Sequence, residues 1–304
     1  MVIAVIPIMV KPLIVEITME IQIVEIIRSL CYNKAKRTQL MCLSFCLLFL
    51  SCVITPKKLQ SKNNGKVPIK NENWIKIPIQ VNQQSTFATF DTGATKSIIN
   101  TSLLDSLALT KIPLIKVLVN KKKWMPMYLI KEIEIGGSIF KNLIVVEMDL
   151  NHLDTDFIIG MDIIKKFNWE FDFKNNTVET HNQVKEYQGY NHLYYKKKNR
   201  PILDLYINGE KNQLLFDTGG AKNNINLQIN KVTDSTKVVS QSDVITQYES
   251  KVYYEKVDVA FGKDTLRKQV LRYDYTTPSL IGLDFIRQYN EMIILPKQKA
   301  ILFN

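Results

Sequence analysis

The sequence predicts an almost all-β protein made of two similar lobes, and three observations carry that expectation. Apolar residues alternate with polar ones over short runs, Gly-containing turns separate the runs, and the whole pattern occurs twice. In chain order, an apolar run over Phe87–Phe90 reads as a strand, followed by a short helical pattern from Ser102 to Leu109. Ile133-Glu134-Ile135, Gly136-Gly137 and then Ile139 to Val146 predict a hairpin, and Met161 to Phe167 a second short helix. Leu203 to Ile207 alternates, Asn208-Gly209 supplies a two-residue turn, and Gln213 to Phe216 returns; such a turn needs positive φ at both central residues. Val257 to Phe261, Gly262-Lys263 and Leu266 to Leu271 predict another hairpin, and Leu283 to Tyr289 a third short helix.

The repeat is anchored on a tripeptide. Phe90-Asp91-Thr92-Gly93-Ala94 recurs 126 positions later as Phe216-Asp217-Thr218-Gly219-Gly220. The same offset aligns Asn82 with Asn208, Ile99-Asn100 with Ile225-Asn226, and Gly136 with Gly262. Further on, Ile158-Ile159-Gly160-Met161-Asp162 matches Leu280-Ile281-Gly282-Leu283-Asp284 at an offset of 122. A repeat this long predicts paired lobes rather than a solenoid of short units. The expected organisation is an N-terminal extension and signal-like segment over 1–52, a polar tether over 53–71, a first lobe over 72–182, a connector over 183–199 and a second lobe over 200–304.

Asp-x-Gly is common turn chemistry, because Asp caps its own backbone and Gly accepts positive φ. Here, however, each Asp ends a strongly apolar strand, where a lone carboxylate is costly to bury. Two such carboxylates can compensate each other by meeting across the lobe interface. They then share one proton, and their apparent pKa values split. One is a base and the other an acid at the same pH, which is what activating water at an amide requires. Thr92 and Thr218 are expected to bond across the interface, and Gly93 and Gly219 to admit close backbone approach with their amides toward the carboxylates.

These motifs resemble those of retropepsin-like aspartic peptidases, whose halves carry an apolar-apolar-Asp-Thr/Ser-Gly-Ala/Ser loop and a later apolar-apolar-Gly. The chain looks like two retropepsin-type halves in tandem over about residues 72–304. The resemblance implies two closed β lobes forming a bilobal aspartic protease, with endopeptidase activity through a bound water. It makes Asp91 and Asp217 the catalytic pair, supported by Thr92, Gly93, Ala94, Thr218, Gly219 and Gly220. By position, the hairpins that such enzymes close over substrate fall near Lys116 to Met127 and Thr236 to Lys251. Lys121-Lys122-Lys123-Trp124 is one tip, although a lysine run also reads as a solvated turn and Trp124 and Met125 as ordinary packing. The expected partner is an extended peptide bound as an added strand. The expected state is a monomer with in-chain lobe pairing, the alternatives being a symmetric dimer or a non-catalytic peptide-binding module of the same fold.

All four cysteines lie at or before position 52, so the lobes are expected to do without disulfides or a cysteine-ligated metal. Lys34-Ala35-Lys36-Arg37 followed by the apolar stretch Leu40 to Leu50 has the layout of a secretory signal. Ser51-Cys52 at its end resembles the lipobox of bacterial lipoproteins and makes Cys52 the lipidation candidate; a cleaved signal or an uncleaved anchor are the alternatives. A lipoprotein-like address implies export across the inner membrane and anchoring toward the periplasm or exterior. Residues 1–33 carry Lys11, Glu16, Glu20, Glu25, Pro7 and Pro12, which argue against a clean membrane helix, and read as an upstream extension. The net charge of +11 is spread over presumed loops without a nucleic-acid motif, and fits an anionic membrane surface rather than nucleic acid. His152, His181 and His192 share no ligand spacing, so neither a metal nor a cofactor is expected.

Overall fold

A computed structural model of the chain describes residues 57–59, 66–107, 109–119, 123–135, 138–182, 185–197, 199–226, 237–242, 247–261, 265–273 and 278–304. Cys52, the signal-like segment and the turns Gly136-Gly137 and Gly262-Lys263 lie outside the described residues. So do Lys121 and Lys122 of the first hairpin tip, and Thr236 at the start of the second expected hairpin. No helix among the described residues is long and apolar enough to cross a membrane.

Three short strands, β1 (Lys57–Leu59), β2 (Val67–Pro68) and β3 (Lys70–Asn71), precede the first lobe. That lobe contains β4 (Ile75–Val81), β5 (Gln84–Phe90), β6 (Ile98–Asn100), helix α1 (Thr101–Leu107), β7 (Thr110–Val119), β8 (Lys123–Ile135), β9 (Ser138–Met148), β10 (Phe157–Ile159), helix α2 (Met161–Ile164), β11 (Asn168–Asp172) and β12 (Thr177–His181). After β13 (Asn191–Lys197), the second lobe repeats the order. Its elements are β14 (Arg200–Ile207), β15 (Glu210–Phe216), β16 (Asn224–Ile225), β17 (Lys237–Ser242), β18 (Gln247–Phe261), β19 (Thr265–Tyr273), β20 (Leu280–Ile281), helix α3 (Leu283–Ile286), β21 (Glu291–Leu295) and β22 (Ala300–Phe303). The protein is nearly all β, as its alternation predicts. The helices fall where expected but end earlier, after one or two turns.

Each lobe closes on itself in the same way. In the first, the strands run β9-β6-β10-β5-β4-β8 and return to β9. In the second, they run β19-β16-β20-β15-β14-β18 and return to β19. Closure leaves no free edge inside the barrel. The alternation of β4 turns Ile75, Ile77, Ile79 and Val81 inward, and that of β14 does the same with Pro201, Leu203, Leu205 and Ile207. The hairpin turn after β14 has Asn208 at φ 48° and Gly209 at φ 84°. The matching turn of the first lobe, Asn82-Gln83, holds φ 46° and 73° without a glycine.

A further sheet joins the lobes, in the order β13-β22-β21-β11-β12-β2. Its central pairing, β11 against β21, sets Trp169 opposite Ile294 and Phe171 opposite Met292. Strand β13 pairs antiparallel with β22 and with β14, burying Leu193 and Tyr195. The stretch 183–199 is therefore more than a connector: residues 191–197 are sheet, with the Lys196 side chain exposed. Aromatic rings bind this sheet to the barrels. Phe90 packs edge-on against Trp169 and Phe171, both with ring centroids 4.9 Å away, and Phe216 packs against Phe303 at 6.0 Å. Edge-to-face pairs of this kind add to the burial of large apolar area.

At both of the expected hairpin positions the chain forms antiparallel pairs, β7 with β8 and β17 with β18. At the first of them Met125 packs inward, whereas Trp124 is 48% exposed and is not the packing residue its neighbour is.

Candidate active site

Strands β5 and β15 end in three consecutive buried residues, Ala88-Thr89-Phe90 and Leu214-Leu215-Phe216, and deliver Asp91 and Asp217 directly after them. Each loop is held from below by the later apolar-apolar-Gly segment. Strand β10 lies parallel to β5, and the Asp91 amide donates to the Ile159 carbonyl at 3.0 Å. In the second lobe β20 lies parallel to β15, and the Asp217 amide donates to the Ile281 carbonyl at 2.9 Å. The loops then pass so close to Gly160 and Gly282 that a Cβ at either would collide with backbone, with Lys96 in one lobe and with Gly220 and Lys222 in the other. The amides of these glycines donate to Ser97 Oγ at 3.1 Å and to Asn223 Oδ1 at 3.0 Å.

The two threonines bind the loops to each other. Thr92 Oγ1 donates to the Phe216 carbonyl at 2.7 Å and accepts from the Thr218 amide at 3.1 Å. Thr218 Oγ1 donates to the Phe90 carbonyl at 2.7 Å and accepts from the Thr92 amide at 3.0 Å. Both threonines are essentially inaccessible, so none of the four bonds competes with water.

This grip sets the aspartates face to face over the glycines. A Cβ placed on Gly93 would lie 2.5–2.6 Å from the carboxyl atoms of Asp217, and one on Gly219 would lie 2.5–2.7 Å from those of Asp91. Each carboxyl group therefore rests on the bare Cα of the opposite loop. Both sit deep in the molecule yet keep some surface open to solvent. Burial raises the pKa of Asp91 above the ordinary carboxylate range, opposed by the Ala94 amide, the Asp217 carboxyl, the Gly93 amide and the Arg200 charge. Burial also raises Asp217, and there the negative charge of Asp91 adds to the rise. The setting of both carboxyl groups thus favours the protonated form, and each acts on the other's titration.

The sequence-predicted residues Asp91, Thr92, Gly93, Ala94, Asp217, Thr218, Gly219 and Gly220 are all brought together here. Ala94 and Gly220 differ in what they do. The Ala94 amide donates to Asp91 Oδ1 at 3.0 Å, whereas the Gly220 amide donates to the Asp217 backbone carbonyl at 3.1 Å. Sequence reasoning missed Arg200, whose Nε and Nη2 donate to the Gly93 carbonyl at 3.1 and 3.0 Å, because a single Arg before Pro201 carries no pattern. It also gave no role to Asp162, half-buried beside the first loop, which accepts from the Ser97 hydroxyl at 2.7 Å and the Ser97 amide at 3.1 Å. Burial holds the Asp162 pKa above its usual range despite those bonds. The recurrence of Asp162 as Asp284 was the available signal. Among the described residues no group of three or more His, Cys, Asp or Glu side chains could hold a metal ion.

The model of one family, aspartyl protease, matches residues 77–163, which run from β4 through the Asp91 loop to α2. No curated protein matches the chain.

Proposed function

We propose that this chain is an aspartic endopeptidase of two retropepsin-type lobes, with Asp91 and Asp217 as its catalytic pair. The observation that carries the reading is the seating of each carboxyl on the opposite loop's glycine, which leaves two buried acids in contact where one proton must be shared. The family match over the first lobe and the repeated loop geometry in the second support it. In the reaction, the ionised carboxylate takes a proton from water as its oxygen bonds to the peptide carbon. The protonated carboxyl gives its proton to the carbonyl oxygen. Collapse of the resulting diol breaks the C–N bond: the first acid returns its proton to the amine nitrogen, and the second regains one from a hydroxyl. The pair ends as it began.

The substrate is a peptide in extended conformation, lying over the dyad beneath the β7–β8 and β17–β18 hairpins. The sheet shared by the lobes supports pairing within one chain, hence a monomer. The basic n-region, the apolar stretch and Ser51-Cys52 support a membrane-tethered, exported enzyme.

The test is incubation of the full chain with a mixed peptide library from acidic to neutral pH, beside Asp91→Asn and Asp217→Asn. Cleavage by the wild type alone is expected. A folded wild type that cleaves nothing at any pH, or either variant with full turnover, overturns the reading.

A further inference from the structure

The two halves of the dyad are related by the repeat but are not equivalent. Asp91 Oδ1 accepts two amides, from Gly93 at 2.7 Å and Ala94 at 3.0 Å. Asp217 Oδ1 accepts one, from Gly219 at 2.9 Å. Arg200 lowers both aspartates by its charge, but its hydrogen bonds go to the first loop. It opens β14 in the second lobe, reaches across to the first and sets both Nε and Nη2 on the Gly93 carbonyl. That carbonyl belongs to the same peptide unit as the Ala94 amide, the one that donates to Asp91. A cation on the oxygen of a peptide group polarises it and strengthens its N–H as a donor. Guanidinium, peptide and carboxylate therefore form a relay ending on Asp91. The second loop lacks both parts. The Gly220 amide turns away from its carboxylate, and the residue 126 positions before Arg200 is Trp74, which carries no charge.

We infer that Arg200 is a positioning residue that makes the dyad unequal, so that Asp91 is the resident anion and takes the proton from water while Asp217 carries the shared proton. This rests on the catalytic reading above but is tested separately from it. The foremost ionisable groups acting on the pair are the two aspartates themselves and Arg200. The directions of their shifts agree with the assignment, since the charge of Asp91 raises Asp217 and the contact with Asp217 lowers Asp91.

The experiment is a 13C titration of the full chain labelled at aspartate Cγ, with the two signals identified through Asp91→Asn and Asp217→Asn. It is repeated on Arg200→Gln and Arg200→Lys. In the wild type Asp91 should ionise first and Asp217 last. Gln, which keeps a donor but no charge, should move both steps to higher pH, that of Asp91 further, so that the gap between them narrows. Lys, which keeps the charge and gives up the fork, should restore most of the difference. In turnover, the acid limb of the Gln variant moves the same way, and each pH unit of movement costs about tenfold in rate at a fixed acidic pH. A purely structural role for Arg200 would lower the rate without moving the limb. Ionisation of Asp217 first overturns the assignment, and this order is read in the wild type without any Arg200 variant. An unchanged gap between the midpoints in the Gln variant overturns the cause; should that variant not fold, a wild-type-like gap in the Lys variant sustains the charge, and a gap that closes or reverses removes it. Unequal titration in a chain with no peptidase activity would sink the catalytic reading alone. Active enzyme with the reverse order would sink this inference alone.

Discussion

Replacing Gly93 by Ala is the smallest change that strikes the paired carboxylates. The added methyl carbon would meet Asp217 Oδ1 at 2.5 Å and its Cγ and Oδ2 at 2.6 Å, against the 3.4–4 Å of ordinary contact. Relief needs a displacement of at least about 0.9 Å, and the Asp217 side chain is tied to the Gly219 amide while Gly93 is held through its carbonyl by Arg200. Misplacing a reacting group by about 1 Å costs on the order of 100-fold in rate, so turnover should fall at least that far. Stability should fall by only about 1–3 kcal/mol, the usual cost of overpacking. Gly220→Ala is the internal control. There a methyl meets the movable Leu280 Cδ1 at 2.9 Å and nothing else inside 3.4 Å, and the first lobe already carries Ala94 at the matching position. That variant should stay within a few-fold of wild type. Both are assayed by cleavage of a peptide selected from the library, with urea unfolding of the same samples. A folded Gly93→Ala protein with wild-type turnover would refute the seating of Asp217 on Gly93.

Two further outcomes follow from the same loops. Thr218→Val removes one hydroxyl but strands the buried Thr92 amide and Phe90 carbonyl, and should cost about 2–4 kcal/mol in urea unfolding; a loss below about 0.5 kcal/mol would show that the threonine grip does not hold the lobes. The folded pKa values of Asp91 and Asp217 both lie above the unfolded ones, so the native pair holds more protons. Its contribution is fully present below the unfolded carboxylate range near 4 and is lost as pH rises through the raised value of Asp217. Asp217→Asn should therefore be more stable than wild type at neutral to alkaline pH, with the gap closing on acidification; thermal melts across that range with a constant gap would contradict the shared proton.

How far the fold was legible depended on how local its cause was. Turn chemistry and alternation are local, so Asn208-Gly209 and the strands around it could be read directly. The equivalent turn at Asn82-Gln83 has no such signature and was reached only through the repeat. The interlobe sheet was not legible, because its pairs, such as Trp169 with Ile294, join residues far apart in the chain and no local pattern names a partner. For the same reason β13 passed for a connector: its inward Leu193 and Tyr195 flank an exposed Tyr194 and lead into a run of lysines, and their burial comes from β22. At the site, the loop residues were legible because two copies in matching company exclude a chance turn. Arg200 was not, since what gives it meaning is the carbonyl it reaches in the other lobe.

Splitting the Thr92–Thr218 grip between two distant stretches of one polypeptide has a consequence for synthesis. Ribosomes deliver the Asp91 loop 126 residues before its partner, an interval of roughly 6–25 s at ordinary elongation rates. The strands that lock the halves together, β21 and β22, emerge later still. In a nascent chain the proposed pair therefore cannot assemble until the second loop and these strands have been made.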